Sequence, residues 1–307
     1  MWVRQDVESL VLAGPTGLTI GAFDGVHLGH QALIRRMAAE AHGMGHQAVV
    51  LTFDPLPRQV LGPQKHGVLS TLEERLECIA SLGVDGIIVH PFDRQVALIP
   101  ATDFVTWLVE KLALTDLWVG PDFALGHNHE GNIPFLKAFG ARRGFAVHVF
   151  ETLVQWEGHP VRSSRIRRAL MAGDLEQANG CLGHPYRLTG IVAHGDQRGR
   201  QLGFPTANLR VNDDQLLPAN GVYVGQAHVR DARFDAVVNV GVRPTFDQHT
   251  PVVEAHLLDF SGDIYGERLR LDFLHRLRDE VRFPSAEALI EQMHRDRANA
   301  RVWRGVV

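Results

Sequence analysis

Two histidines three residues apart, His27-Leu28-Gly29-His30, end the glycine-rich stretch Gly21-Ala22-Phe23-Asp24-Gly25-Val26. An apolar run, Leu18-Thr19-Ile20, precedes that stretch, and a segment of helical period follows it. At the carboxyl end of a strand in a doubly wound sheet this is where ligands bind, and the helix behind it offers unpaired N–H groups to an anion. Both imidazoles could then donate to one phosphate, with Gly29 allowing close backbone approach. The plainer alternative is a glycine-rich turn with a capping histidine.

A second constellation lies far downstream, in Gly199-Arg200-Gln201-Leu202-Gly203-Phe204-Pro205-Thr206-Ala207-Asn208. Rigid Pro205 beside Thr206 and Asn208 presents two oxygen ligands to a hard cation such as Mg²⁺, and the upstream glycines let backbone N–H groups face a nucleotide phosphate. A structural turn explains the glycines and the proline, but does not call for Thr and Asn together. Glu254 alternates with Val252 and His256 on one face of a strand, solvent-facing by default and a general base if that face meets a site. Asn239-Val240-Gly241-Val242-Arg243-Pro244-Thr245-Phe246 reads as a polar, bent loop. Arg162-Ser163-Ser164-Arg165-Ile166-Arg167 opens a helix with hydroxyls and guanidinium groups, suited equally to phosphate oxygens or to a cap with a solvated basic face.

These groups need elements to hold them. In the first half, apolar runs at 48–53, 86–90 and 117–119 alternate with helical patterns: Leu33, Ile34, Met37, Ala38 and Ala41 on one face; Leu72, Leu76, Ile79 and Ala80 on another; and Phe104, Trp107, Leu108 and Leu112 on a third. Ser70-Thr71-Leu72-Glu73 reads as a capping box for the second helix. Alternating strands and helices predict a parallel α/β sheet of the Rossmann-like kind. After Gly183-His184-Pro185 the pattern changes to short β-rich runs at 187–193, 221–229, 234–240, 252–258 and 268–273, which predict an antiparallel barrel or sandwich. A terminal helix follows, capped by Pro284-Ser285, with Ala286, Leu289, Ile290 and Met293 inward. The helical segment 164–182 reads as part of the first domain, so the expected domains are 1–184 and 185–307.

Length agrees: 307 residues suggest about two domains at roughly 150 residues each. With 31 Lys+Arg against 35 Asp+Glu the formal charge is -4, which argues against a nucleic-acid partner. Two cysteines, Cys78 and Cys181, make neither a disulfide framework nor a four-cysteine zinc site. The N-terminus lacks a signal-peptide profile and no apolar run reaches the ~18 residues of a membrane span, so the expectation is a soluble cytoplasmic protein with no membrane partner. Gly43-Met44-Gly45-His46-Gln47-Ala48 mimics a dinucleotide fingerprint but runs from helix to strand, the wrong order. His127-Asn128-His129-Glu130 lacks a completing ligand set for zinc and reads as a loop near the active site.

Taken together, these motifs resemble the bacterial bifunctional riboflavin kinase/FAD synthetase family over nearly the whole chain. The matching stretches run from Gly21–His30 through Phe53-Asp54-Pro55-Leu56-Pro57, Gly120-Pro121-Asp122-Phe123, 163–167, Gly195, Gly203–Asn208, Asn239–Phe246 and Glu254 to Asp263-Ile264-Tyr265-Gly266. The resemblance implies a nucleotidyltransferase domain and a flavokinase barrel that convert riboflavin to FMN and FMN to FAD, with ATP as co-substrate and Mg²⁺ as cofactor. It implies that His27 and His30 stabilise charge on the ATP phosphates. Gly21, Phe23, Asp24, Gly25, Gly29, Ser163, Ser164, Arg165, Arg167, Gly195, Gly203 and Pro205 would contact ATP or its phosphates. Asp122, Phe123, Asn239 and Arg243 would meet the flavin, Thr206 and Asn208 the metal, and Glu254 would take the proton of the riboflavin 5′-hydroxyl. Ala22, Leu56, Leu125 and Arg162 depart from the family's usual residues, all in the first domain, and Arg162 adds a cation beside the hydroxyl segment. The alternative is a riboflavin kinase whose first domain is a scaffold; no oligomeric state follows from the sequence.

Overall fold

The computed structural model describes residues 1–6, 10–62, 67–195, 199, 202–244 and 249–306, with the side chains of 243, 244, 249, 250 and 304–306 outside that description. The chain divides into two compact units, Met1–His66 with Ser70–Arg162, and Gly67–Leu69 with Ser163–Val307.

In the first unit, strands β1 (Trp2–Gln5), β2 (Thr16–Ile20), β3 (Gln47–Asp54), β4 (Gly86–Pro91), β5 (Leu114–Val119) and β8 (Ala146–Val149) form a six-stranded sheet in the order β1-β4-β3-β2-β5-β8. All of its pairings are parallel. Every residue of β2 is buried, as expected for a central parallel strand covered on both faces. Helices α1 (Leu28–Gly43) and α3 (Leu72–Ala80) cover one face, where Ile34, Met37 and Ile79 meet Val50 and Ile87. Helices α4 (Ala101–Leu112) and α5 (Ile133–Arg143) cover the other, where Phe104, Leu108, Leu136 and Phe139 meet Leu18, Leu51 and Ile88. Successive strands run outward from β2 in one direction to β4 and in the other to β8, so the loops after β2 and β5 flank the topological switch point. Helix α2 (Pro57–Leu61) and two hairpins, β6 (Ala124–Leu125) with β7 (Gly131–Asn132) and β9 (Gln155–Trp156) with β10 (His159–Pro160), complete the unit.

In the second unit, β11 (Tyr186–Ala193), β12 (Ala207–Val211), β13 (Gly221–Val229), β14 (Ala232–Pro244), β15 (His249–Leu257) and β16 (Arg268–Arg278) close into an antiparallel barrel, β11-β12-β15-β14-β13-β16. Leu188, Ala236, Val238, Val253, Ala255, Leu269, Leu271 and Phe273 fill its core. Helices α6 (Ser163–Ala172) and α7 (Leu175–Leu182) precede the barrel, and α8 (Ala286–Val306) follows it.

Several expectations change. Residues 163–182 fall with the barrel rather than with the parallel sheet. The composition break at Gly183-His184-Pro185 marks a switch from helix to strand, whereas the change of core comes earlier, after Arg162. Asn179 makes the attachment clear: its Oδ1 accepts from the Tyr186 N–H at 2.7 Å and its Nδ2 donates to the Phe273 carbonyl at 2.9 Å. The capping box on α3 is Thr71 with Glu74, not Ser70 with Glu73, because the Ser70 hydroxyl is engaged by Gly25. Asn239–Pro244 is not a loop but the end of β14, paired residue for residue with β15; residues 245–248 lie outside the described residues. Ala286 is exposed, and the buried positions of α8 include Asp296 and Ala300, one turn apart.

A fragment beginning at Ser163 should therefore be more stable than one beginning at Pro185. The shorter piece strips the cover of Leu175, Ala178, Cys181 and Leu182 and both Asn179 bonds, a loss of about 3 kcal/mol or more. Urea denaturation of the two fragments measures it, and equal stabilities would show that the helices are not integral to the barrel.

Candidate active sites

The Gly21 N–H makes the last backbone bond to β3, to the Leu51 carbonyl at 3.0 Å, and beyond it the chain must turn tightly. Phe23, Gly25 and Val26 take positive φ values of 48°, 76° and 40°, a strained choice for a β-branched valine. Gly21 permits the turn, since a Cβ there would lie 2.8 Å from the Phe23 ring. Asp24, 3% exposed, accepts from the Ser70 N–H at 3.3 Å, and the Gly25 N–H returns a bond to the Ser70 hydroxyl at 3.0 Å. The buried Arg75 guanidinium finishes the frame. It donates to the carbonyl of Ala22 at 3.1 Å and to that of Phe53 at 2.8 Å, tying the ends of β2 and β3 together, with Asp54 at 3.7 Å. Burial lowers the Arg75 pKa, opposed by the carboxylates of Asp24 and Asp54.

This frame presents the two histidines. His27, 6% exposed, is the N-cap of α1, and its Nδ1 accepts from the His30 N–H at 3.3 Å, which leaves Nε2 to carry the ring proton as a donor. The two rings stack at 3.6 Å and 17°, and Phe23 meets His30 edge-on at 5.3 Å. Gly29 is what lets the stack form: a Cβ there would stand 3.2 Å from the His27 ring. His30 is partly buried, with Nδ1 sealed from solvent and unpartnered. Desolvation, then the neighbouring His27, hold its pKa well below the ordinary imidazole value. The pair is thus a preorganised set of ring groups at a helix start, with His30 biased toward its neutral form, suited to an oxyanion.

The other expected residues of this half are distributed. Arg162 points its guanidinium at Asp122, 3.6 Å away and on the surface, and Phe123 packs at the margin of the core. Ser163 and Ser164 begin α6 in the second unit, where Arg165 donates to the Gln177 side chain at 2.8 Å and the buried Arg167 donates to the Gly67 carbonyl at 3.1 Å. Glu130 of the His127–Glu130 stretch caps α4 through the Ala101 N–H at 2.7 Å, a structural duty.

In the barrel, Pro205, Thr206 and Asn208 line a cavity of about 540 Å³, with Val192, Ala255 and the loop Phe260–Tyr265 around them. The loop before β12 is drawn in by the Phe204 N–H bond to the Gly199 carbonyl at 2.8 Å, and Gly203 sits at φ 84°. A Cβ on Gly195 would lie 2.3 Å from the Asn208 amide, so any larger residue there would displace the Asn208 side chain. Asn208 and Asn239 both stand directly opposite Glu254, in β12 and β14 on either side of β15. Cross-strand neighbours share a face, so the three polar groups form one half-buried row on the outer side while Val253 and Ala255 point inward. Arg243 lies in β14 opposite Thr250; its side chain is outside the described residues. Two features were not anticipated: Arg75, hidden on what reads as the polar face of an amphipathic helix, and Tyr265 stacked on His194 at 3.9 Å on the cavity wall, whose motif was visible but without a role.

His30 generates a test of protonation. Below about pH 6.5 the unfolded chain takes up a proton on this imidazole and the folded chain does not, until the lower folded pKa is reached. Its contribution to stability is full above that pH and is lost as pH falls. In His30→Asn, denaturation midpoints at about pH 7.5 and pH 5.5 should therefore lie closer together than in the unsubstituted chain. An unchanged gap would mean that His30 titrates normally.

The family described as FAD synthetase matches residues 12–165, and the family described as riboflavin kinase matches residues 182–304. A bifunctional riboflavin kinase/FMN adenylyltransferase from Pseudomonas fluorescens is 38% identical over 285 residues, 92% of this chain and 91% of the relative. The protein of the same description from Haemophilus influenzae is 37% identical over 289 residues, 93% of each chain. A crystal structure described as a macrolide-efflux protein from Streptococcus pneumoniae has a TM-score of 0.89 at 30% identity and covers 97% of this chain and 98% of that one. One match contains the stacked histidines, the other contains the row Asn208–Glu254–Asn239, and relatives more than a third identical run along both; the chain belongs to the family of bifunctional riboflavin kinase/FMN adenylyltransferases.

Proposed function

We propose that this chain makes FMN from riboflavin and ATP in its barrel, and FAD from FMN and ATP in its parallel-sheet unit. The observation that carries this reading is that each matched family falls on one half of the chain, one range including His27 and His30 and the other Thr206, Asn208 and Glu254. A kinase with an idle first domain is the weaker alternative, because the relatives that match across both halves are bifunctional by description. A cytoplasmic location belongs to this reading as a proposal; of the membrane, what stands is that no helix among the described residues is long and apolar enough to cross one.

The two reactions ask different things of the protein. In adenylyl transfer the FMN phosphate is already an anionic nucleophile; it attacks the α-phosphorus of ATP and pyrophosphate leaves. Nothing has to be deprotonated, so the need is for donors fixed where negative charge grows. Nε2–H of His27 and the neutral ring of His30 fill that role, and because both rings are locked in the stack they need no reorganisation as charge shifts. In phosphoryl transfer the nucleophile is the neutral 5′-hydroxyl of riboflavin, which attacks the γ-phosphorus and releases ADP. Glu254 takes the hydroxyl proton, and Asn208 and Asn239 on either side fix its position in the row.

Thr206 and Asn208 fit a Mg²⁺ ion: both line the cavity and offer neutral oxygens, and Mg²⁺ fills most of its shell with water and substrate phosphates rather than a protein cage. Bound there, it would neutralise charge on the phosphates of ATP. Flavin contacts from Asp122, Phe123, Asn239 and Arg243, and phosphate contacts from the α6 segment, complete the proposal.

Incubation with riboflavin, ATP and Mg²⁺ should yield FMN and then FAD; FMN alone, under conditions where the kinase turns over, would leave the kinase-only alternative. Glu254→Gln should depress FMN formation by about 10²–10⁴-fold while FAD formation from supplied FMN stays near normal. His30→Ala should do the converse, depressing FAD formation by about 10²–10³-fold with phosphorylation intact. Loss of both activities in either variant would contradict the division of labour.

A further inference from the structure

Helix α8 carries two stripes of side chains with different partners. The first faces the barrel. Asp296, 3% exposed, receives the Arg278 guanidinium at 2.7 Å and 3.1 Å and the Gln292 amide at 2.9 Å, and Ala300 one turn on is fully buried. A buried, hydrogen-bonded ion pair of this kind fixes the helix in rotation, since breaking it would strand a charge. The second stripe, His294, Arg297 and Arg301, has the i, i+3, i+7 spacing of a single face. Its partners stand on the two flanks of the cavity: the buried Phe204 on one and Asp259 on the other.

On one flank, the Phe204 ring, 3% exposed, is met edge-on by His294 at 4.9 Å and by the Arg297 guanidinium at 5.6 Å from its centroid. Arg297 also donates to His294 Nδ1 at 3.2 Å, joining the two groups. His256 of β15 closes the third side of the ring at 5.4 Å, and its Nδ1 donates to the Pro205 carbonyl at 2.8 Å. Phe204 leads directly into Pro205 and Thr206, and proline transmits a fixed backbone angle, so a locked ring fixes where the Thr206 hydroxyl stands. On the other flank, Arg301 donates to Asp259 at 2.6 Å. Asp259 sits at φ 58°, a conformation a non-glycine residue keeps only when its surroundings hold it, and it leads into Phe260, Ser261 and Gly262 of the cavity wall.

We propose that His294, Arg297 and Arg301 are positioning residues of the phosphoryl-transfer site: one rigid helix face ties the flank bearing Thr206 to the flank bearing Phe260–Gly262 and sets the width of the nucleotide cavity between them. The proposal rests on the kinase reading of that cavity. None of the three residues needs to touch substrate. Their effect is on how well the cavity is formed before ATP arrives, so it falls on ATP affinity rather than on the chemical step.

The test uses the full-length chain, with riboflavin saturating, Mg²⁺ in excess and ATP varied. Arg297→Ala and Arg301→Ala should each raise KM for ATP by about two- to fivefold, the range expected of a cation–π contact or a solvent-exposed ion pair, with kcat within about twofold. Asp259→Ala should match Arg301→Ala, and the double variant should be no worse than either single one. Arg301→Lys, which keeps the charge, should recover most of the affinity. FAD formation from supplied FMN should be unaffected throughout. If KM for ATP stays at its original value in all variants while the unsubstituted chain makes FMN, the positioning role is overturned and the kinase reading stands. Equal loss of kcat in every variant, tracking a fall in melting temperature without any KM change, would likewise overturn it and reduce α8 to a structural brace. If the unsubstituted chain makes no FMN at all, the kinase reading itself fails, and this role with it.

Discussion

Where a strand runs out of neighbours, its N–H and C=O groups still have to be paired or hydrated, and that requirement shapes both candidate sites. At the ends of β2 and β3 the carbonyls of Ala22 and Phe53 share a single buried guanidinium, Arg75, while Ser70 answers both Asp24 and Gly25. At the start of β12 the Pro205 carbonyl is claimed by His256. Neither loop is free to choose its path, because alternatives would leave a polar atom buried without a partner. The stacked histidines and the Thr206–Asn208 pair inherit their positions from these obligations, and glycine serves the two loops differently: at Gly21 a Cβ would press on the Phe23 ring, whereas Gly25 and Gly203 supply positive φ values.

The two sites also illustrate how burial can be turned to opposite chemical ends. Around His30 the loss of water removes a charge, keeping an imidazole neutral where it would otherwise be partly protonated, and a neutral donor can follow a phosphate through its reaction without first shedding its own counterion. Around Glu254 the flanking residues are neutral amides, and the row they form is only half-buried, so the carboxylate is held on the outer side of the sheet rather than sealed in the core. A strand supplies that placement well: the pleat alone decides which side Glu254 takes, and a slip of one residue would send it into the core.

The architecture was legible in the sequence because it is written in periodicity. Fully apolar runs gave the buried parallel strands, and the loss of helical period after Pro185 gave the barrel. The candidate reactive residues stood out in the sequence because their types are poorly explained by structure alone, as with Thr206 beside Asn208. What escaped detection did so for physical reasons. β1 and β8 are edge strands of only four residues each, partly open to solvent, too short for a periodic pattern to declare itself. Helix α5 hides behind Gly140, a residue that disfavours helix but is needed because a Cβ there would lie 2.5 Å from the Phe145 carbonyl. Arg75 is a charged residue in the interior, which no hydropathy pattern can announce. The capping box moved by one residue because Ser70 had a tertiary partner, and local propensity yields to such partners. The grouping of α6 and α7 with the barrel depends on Asn179 and on packing across long sequence separations, and composition is blind to both.

Closure of the barrel has a consequence for how the second unit comes into being. Its first strand pairs with its last, Tyr186 opposite Phe273, so the cylinder cannot be completed until nearly the whole unit is available. Joining distant segments costs chain entropy before the contacts that reward it can form, and folds of this kind assemble slowly. On a ribosome the parallel sheet, whose strands all precede residue 150, can organise while the barrel is still an open, unpaired ribbon. The row that brings Asn208, Glu254 and Asn239 side by side draws on β12, β14 and β15, so it cannot exist until the chain has been made past residue 257, long after the parallel sheet is complete.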